Sequence, residues 1–472
     1  MQHRILVTLT ILFFLQGCGG ESSMPTEVAP PNDDTQTESQ SASEVELLNN
    51  IASLLEGSAC DAGSELECKL VEVSYEPAPD WSNENRPRRR ILLIDKGFAS
   101  ATMTGYRNRI LELYTTSESM SLLPYRPSLN MPESLDKVFE AIKNYDSFIS
   151  VEKFKQFQTD KILNLIRQIS FEIGHGYFIG GFLLEHNPEA QFVVLEKGEE
   201  SWLYSPAAVC DQLLDANEQV QAQALSLIQQ RFDQYFQSIQ EIVNHHQIDY
   251  INASWGASRS AVSQVINRSC GAMPVQSLVS EILLIDHQFM QQLAEISYVE
   301  LDAIEQQVVL VQAGAAGNSG VLYEGHPDFP ADCDSSMTNR IRVSGFMYAG
   351  TDIPVDGASD HSALSHSNRQ RWDCIDTYLP LGQYYEGVTS KIRDRSMRQI
   401  YHGFWQSDVF PTYTSPSMAA PVVLSGLNYH QSQSTVKLSP AELFEVFTQG
   451  NKIADPLQHQ LFNVYQLGYR KR

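Results

Sequence analysis

Five short apolar runs, at 90–95, 191–196, 248–254, 308–313 and 341–347, are each rich in Ile, Val, Leu or Phe and are separated by intervals long enough to hold helices. This alternation restricts the fold more than any other feature of the chain. Parallel strands cannot be joined by a tight turn, so buried runs with helix-length connections predict a mostly parallel sheet with helices on both faces. The expected fold class is α/β, in a three-layer α/β/α arrangement. The strongest helix is expected at 217–246, where Leu225, Ile228, Phe232, Tyr235, Ile239 and Ile242 recur at steps of three and four. That stripe reads as core packing, not as a cofactor surface. Ser439-Pro440-Ala441-Glu442 forms a capping box with Pro at the first helical position, opening a helix through Phe447.

Chemistry gathers near the ends of these runs. Arg90-Ile91-Leu92-Leu93-Ile94-Asp95-Lys96-Gly97 is a buried strand closed by a carboxylate. His175 stands between Gly174 and Gly176 in Gly-His-Gly-Tyr-Phe-Ile-Gly-Gly, and glycines there admit close backbone approach to a helix start. Asn318 lies in Ala-Gly-Ala-Ala-Gly-Asn-Ser-Gly. Thr414-Ser415-Pro416-Ser417-Met418-Ala419-Ala420-Pro421 puts a Ser among small residues at a helix start, where its hydroxyl is exposed and its N–H faces a developing oxyanion. Singly, each has a plainer role: Asp95 as a turn carboxylate, Ser417 as a helix cap, Asn318 as a turn residue.

Jointly, and with Tyr250-Ile251-Asn252-Ala253-Ser254-Trp255-Gly256 between His175 and Asn318, the segments resemble those of subtilisin-like serine peptidases, the subtilases. Around His175 the family reads Gly-His-Gly-Thr-His-Val-Ala-Gly. The order Asp, His, Ser is that of subtilisin, whereas α/β-hydrolases run Ser, acid, His and chymotrypsin-like enzymes run His, Asp, Ser. No Gly-x-Ser-x-Gly elbow follows a plausible strand. The resemblance spans about residues 88–450 and is dense only at the motifs. It implies Ser417 as nucleophile, His175 as general base and then acid, Asp95 as the group that orients the imidazole, and Asn318 as an oxyanion donor. Ser254, Trp255 and Gly256 would line one wall of the substrate cleft by β-strand addition, and Ala315, Ala316 and Gly317 the opposite wall. Trp255 is larger than the aliphatic residue often seen there and would narrow the pocket. No cofactor is required. Bound Ca²⁺ is common in the family, but no EF-hand loop is present and no metal ligand can be assigned.

The chain departs from the family in several places. Ser415-Pro416 stands where Gly-Thr is usual before the nucleophile, Lys96 replaces a Ser or Thr after Asp95, and Tyr177-Phe178 replaces Thr-His after His175. The intervals 115–165 and 205–245 read as helical insertions around the cleft. Little ordered sequence precedes Asp95 to serve as the pro-segment many subtilases carry.

The N-terminus reads as a targeting segment. Met-Gln-His-Arg is followed by an apolar run from Ile5 to Leu15, too short for a stable bilayer span, and then by Leu15-Gln16-Gly17-Cys18, which resembles a bacterial lipobox. The expected organisation is a lipoprotein signal at 1–17, a Ser-, Glu-, Pro-, Thr- and Gln-rich tether at 18–45, a short region at 46–85 (a vestigial pro-segment at most), and a peptidase domain at 86–472. Cys18 would be lipidated, making the chain a cell-envelope lipoprotein of a Gram-negative bacterium, outer-membrane or periplasm-facing, with the absence of Asp at Gly19 pointing to the outer membrane. The other six cysteines, Cys60, Cys68, Cys210, Cys270, Cys333 and Cys374, suit disulfides in an oxidising compartment. Sequence leaves their connectivity open. Sequential pairing is the expectation, since each such pair lies within one interval between motifs.

Composition excludes one class of partner. With 33 Lys and Arg against 57 Asp and Glu, the formal charge of −24 would repel nucleic-acid phosphates. A protein or peptide substrate and, through the lipid, a membrane are the partners expected; oligomeric state is not legible. A second reading keeps the subtilase fold but replaces catalysis with peptide or protein binding, through the altered loops.

Overall fold

The structure is a computed structural model that describes residues 42–56, 69–79, 89–100, 102–144, 174–187, 190–198, 201–299, 305–313, 336–349, 376–384, 416–449, 452–453 and 461–462. Its strands are β1 (Leu70–Ser74), β2 (Arg89–Asp95), β3 (Ile110–Thr116), β4 (Leu122–Pro124), β5 (Ser128–Pro132), β6 (Ala190–Glu196), β7 (Tyr250–Ala253), β8 (Ser297–Val299), β9 (Glu305–Gln307), β10 (Val309–Ala313), β11 (Arg340–Ala349), β12 (Thr377–Tyr384), β13 (Lys452–Ile453) and β14 (Leu461–Phe462). The main helices are α1 (Ala42–Glu56), α2 (Glu133–Lys143), α3 (His175–His186), α4 (Glu218–His246), α5 (Arg259–Cys270), α6 (Gln276–Ala294), α7 (Pro416–Gln433) and α8 (Pro440–Gln449).

Ten of these strands form one sheet in the order β13-β14-β12-β11-β10-β7-β2-β6-β3-β4. Neighbours pair in parallel from β3 across to β14, and only the two edges, β4 and β13, run antiparallel. The protein is thus α/β with a largely parallel sheet. All five apolar runs of the sequence lie in its middle, as β2, β6, β7, β10 and β11.

Period-2 alternation divides their side chains between two hydrophobic clusters. Ile91, Leu93, Phe192, Val194, Val309 and Val311 enter one cluster, together with buried residues of α1, α2, α3, α7 and α8. Leu92, Ile94, Val193, Leu195 and Leu310 enter the other, with residues of α4, α5 and α6. Burial on both faces explains why these strands read as continuous apolar runs instead of alternating ones.

The stripe on α4 packs as expected: Ile228, Phe232, Tyr235, Ile239 and Ile242 are buried. Asn217 caps this helix by accepting from the Gln219 N–H. At α8 the Ser439 N–H donates to Glu442 Oε2 at 2.8 Å and the Glu442 N–H to Ser439 Oγ at 3.3 Å, a reciprocal capping box.

One expected helical insertion is corrected. The described part of 115–165 holds β4, β5 and α2, so it is not helical throughout: β4 extends the sheet edge beside β3, and β5 pairs antiparallel with β1. Pro124, Pro127 and Pro132 interrupt any helix there, because each lacks an N–H and clashes with the preceding turn. The described part of 205–245 is helical for most of its length, with α4 as its bulk. The described residues from Glu46 onward belong to one compact unit, and Leu47, Leu48, Ile51 and Leu55 of α1 are buried in the same cluster as β2.

Candidate active site

Numbering only the long parallel strands in chain order (β2, β3, β6, β7, β10, β11, β12), the sheet places the second and third beyond one side of the first and the fourth to seventh beyond the other. The chain therefore reverses direction between β2 and β7. Open α/β sheets bind ligands outside the carboxyl ends of their strands at such a switch point. Asp95 ends β2, and Ser254 follows β7 directly.

Asp95 is held where a carboxylate can act on a neighbour. Its side chain is 5% exposed, its Oδ1 accepts the Lys96 N–H at 2.7 Å, and both oxygens meet His175 Nδ1, at 2.8 and 2.9 Å. The hydroxyl that Lys96 cannot offer is thus replaced by its own backbone N–H. A carboxylate only accepts, so this contact fixes the proton on Nδ1 and leaves the Nε2 lone pair free. The His175 side chain is 40% exposed.

His175 is the first residue of α3, and glycines explain how it gets so near. The Gly176 N–H, lacking an intrahelical acceptor, donates to the Lys96 carbonyl at 2.7 Å. A Cβ on Gly176 would stand 3.1 Å from both Asp95 Cβ and Lys96 O, and one on Gly174 would stand 2.2 Å from Gly97 Cα. Tyr177, where the family has Thr, is buried beneath this turn. Burial draws the His175 pKa down, but its hydrogen bond to Asp95 and the charge of Asp95 outweigh this; with Lys197 opposing them, the imidazole titrates above its ordinary value.

Ser417 is half-buried at the second position of α7. Pro416 opens that helix, where a missing N–H costs nothing. Pro421 lies inside it and cannot donate to the carbonyl four residues back, which belongs to Ser417. The Ser254 hydroxyl fills that vacancy, donating to Ser417 O at 3.0 Å while accepting from Asn252 Nδ2 at 2.8 Å. The start of α7 is thereby tied to the end of β7. A second tie is wholly buried: Asn187, just past α3, donates to Ser425 Oγ at 2.8 Å and accepts from Asn428 Nδ2 at 2.9 Å, joining the histidine helix to α7. Among the described residues no hydrogen bond joins Ser417 Oγ to His175.

Trp255 Nε1 donates to the Ile94 carbonyl at 3.2 Å; its ring stacks near Phe289 of α6 at 6.3 Å and lies beneath the Lys197 ammonium at 4.6 Å. Gly256 is partly buried beside it. Cys210 and Cys270 are joined by a disulfide, with Cα atoms 5.1 Å apart. Ala315, Ala316, Gly317, Asn318, Cys18, Cys60, Cys68, Cys333 and Cys374 lie outside the described residues. Among the described residues no cluster of three or more His, Cys, Asp or Glu side chains could hold a metal, and no helix is long and apolar enough to cross a membrane.

One neighbour of the Asp95–His175 pair escaped sequence reading. Glu196, at the end of β6, stands beside Asp95 in register, and its carboxylate accepts the N–H groups of Gly97 and Phe98. Only the pairing of β2 with β6 brings it there, and no local motif announces that register.

No family model matches the chain, and no curated protein does. Among solved structures the chain is similar to the epidermin leader peptide processing serine protease (EpiP) from Staphylococcus aureus, at 12% identity over 81% of this chain and 75% of that one, with a TM-score of 0.34.

Proposed function

We propose that the chain is a subtilisin-like serine endopeptidase acting through Asp95, His175 and Ser417. The observation that carries the reading is the contact of His175 Nδ1 with both oxygens of the buried Asp95, at 2.8 and 2.9 Å. That contact stands at the sheet's switch point, with the Ser417 helix tied to the strand beside it through Ser254.

The geometry suits acyl transfer. Substrate docking would draw the Ser417 hydroxyl and His175 Nε2 together, since such bonds are often long before substrate is bound. Nε2 would take the hydroxyl proton as Oγ bonds to the scissile carbonyl carbon, and Asp95 would stabilise the imidazolium. The Ser417 N–H, among the first four of α7 and without an intrahelical acceptor, suits the oxyanion, with the Asn318 amide as its partner by sequence. His175 would then pass the proton to the amine as the C–N bond breaks, and water would repeat the sequence to free the acyl group.

The second reading, a binding protein on the same fold, rests on the altered residues beside the three groups: Lys96, Tyr177-Phe178 and Ser415-Pro416. A fluorophosphonate probe on the full chain separates the two. The peptidase reading expects covalent labelling that Ser417→Ala abolishes while the circular dichroism spectrum stays unchanged. An unlabelled wild-type protein would sink it, and labelling that survives in Ser417→Ala would put the nucleophile elsewhere.

A further inference from the structure

Two acids stand side by side at the end of the sheet. Asp95 and Glu196 are register partners on the parallel strands β2 and β6, so their side chains leave the same face about 4.8 Å apart. Like charges at that spacing repel, and a merely structural strand end would do better with a neutral residue.

Glu196 does not point to solvent. One of its oxygens accepts the Gly97 N–H and the other the Phe98 N–H, the latter at 3.2 Å. These consecutive amides belong to the turn that leaves Asp95. The turn has little freedom to move elsewhere: Gly97 has φ +76°, and a Cβ there would stand 2.3 Å from Gly174 Cα. The same turn docks the histidine helix, because the Lys96 carbonyl accepts the Gly176 N–H at 2.7 Å. Beyond it, the Phe98 ring lies against Gly180 of α3, where a Cβ would stand 2.5 Å from it. On the other flank the Lys197 N–H donates to the Asp95 carbonyl at 2.7 Å.

We propose that Glu196 is a positioning residue for the Asp95–His175 pair, gripping the Gly97 and Phe98 amides to fix the turn on which His175 is docked. The inference rests on the peptidase reading only for its effect on catalysis; the effect on His175 is independent of it. Protonation weakens a carboxylate as acceptor, so the grip depends on pH. Burial pushes the Glu196 carboxyl up to about 7, against the two amide hydrogen bonds, with the charge of Asp95 adding to the rise and that of Lys96 opposing it. Among the described residues, His175, Lys197 and the buried Tyr235, which faces Asp95, are further ionisable groups near this end of the sheet.

Three measurements test the proposal. In the wild-type protein, the Gly97 and Phe98 amide resonances should titrate together with a midpoint near 7; amides that do not move between pH 5 and 9, a range about two units either side of that midpoint, would overturn it. In Glu196→Gln, the amide can accept at one atom only, and the His175 imidazole titration should shift while the fold is kept. An unchanged His175 titration with unchanged Gly97 and Phe98 amides would overturn the proposal, even if the wild-type chain never labels and the peptidase reading fails. If it labels, Glu196→Gln should slow labelling about 10- to 100-fold, the cost of a misplaced catalytic group. The acid limb should also fall from two-proton to one-proton steepness, and Glu196→Asp should recover part of the rate. A variant that labels at the wild-type rate with the wild-type pH profile would overturn the proposal. If Glu196→Gln does not fold, the wild-type amide titration decides.

Discussion

At His175 two opposed influences meet, and their balance sets a measurable pH. Burial penalises the imidazolium, yet the hydrogen bond to Asp95 and its charge win, with Lys197 subtracting, so the folded pKa lies above 6.5. The sign follows directly: a raised folded pKa stabilises the fold below the unfolded value near 6.5, and that stability is lost as pH rises through the folded value. The neutral imidazole a general base needs forms over that same window. On the proposed peptidase reading, labelling by a fluorophosphonate should therefore rise with pH to a midpoint above 6.5. In Asp95→Asn burial remains without its counterweight, so the midpoint should fall below 6.5, and on the proposed peptidase reading the rate should drop on the order of 10⁴-fold. A rate flat between pH 5 and 8, the span over which histidine changes charge, would remove His175 as base. Asp95 and His175 were legible in the sequence because chemistry restricts what may stand beside each of them: apolar residues before the carboxylate, glycines around the imidazole. Glu196 was not, since an acid closing a strand looks the same whether it faces water or a neighbouring turn.

Elements are legible when one local period governs them. The strands β2, β6, β7, β10 and β11, buried on both faces, announce themselves as unbroken apolar runs, and α4 and α8 by stripe and capping box. β3 was missed because Ile-Leu-Glu-Leu-Tyr-Thr-Thr mixes polar residues into a sheet position near the edge, where only Ile110, Leu113 and Thr116 are buried. The β1–β5 ribbon was missed for another reason: its partners lie some sixty residues apart, and register at that distance leaves no local mark. The contact between the β2 turn and α3 lies between these extremes, for the glycines were visible but their mutual touch was not. Gly97→Ala tests that contact. Its φ of +76° strains any Cβ, and the Cβ would meet Gly174 at 2.3 Å, so α3 must retreat. The cost should be at least about 2 kcal/mol, from left-handed strain plus the lost docking. Urea denaturation would measure it, alongside a His175 titration displaced toward lower pH as Asp95 is left behind. Unchanged stability and titration would mean that the turn yields without moving the helix.

Across the whole molecule, strand order assembles the site. Asp95 and Ser254 lie far apart in sequence, yet β2 and β7 are neighbours, and the change of crossover direction falls between them, at the strand ends that carry both residues. That arrangement cannot be read from any window of sequence, although alternating strands and helices limit the choices. Among the described residues the covalent tie is the Cys210–Cys270 disulfide, closing a loop with a sequence separation of 60. The loop contains α4, β7 and Ser254–Trp255–Gly256, so its constraint falls on the strand beside β2 and on the residues that follow it. Restricting the unfolded chain by a loop of this length should stabilise the fold by about 4 kcal/mol at most. Replacing both cysteines with serine should accordingly lower the melting temperature by several degrees, at a few degrees per kcal/mol for a chain of this size. It should leave the His175 titration where it was, since Asp95, His175 and Glu196 all lie outside the closed loop. An unaltered melting temperature would mean that the unfolded chain is already as compact as the bridge would make it, whereas a displaced His175 titration would show that the loop braces the site directly.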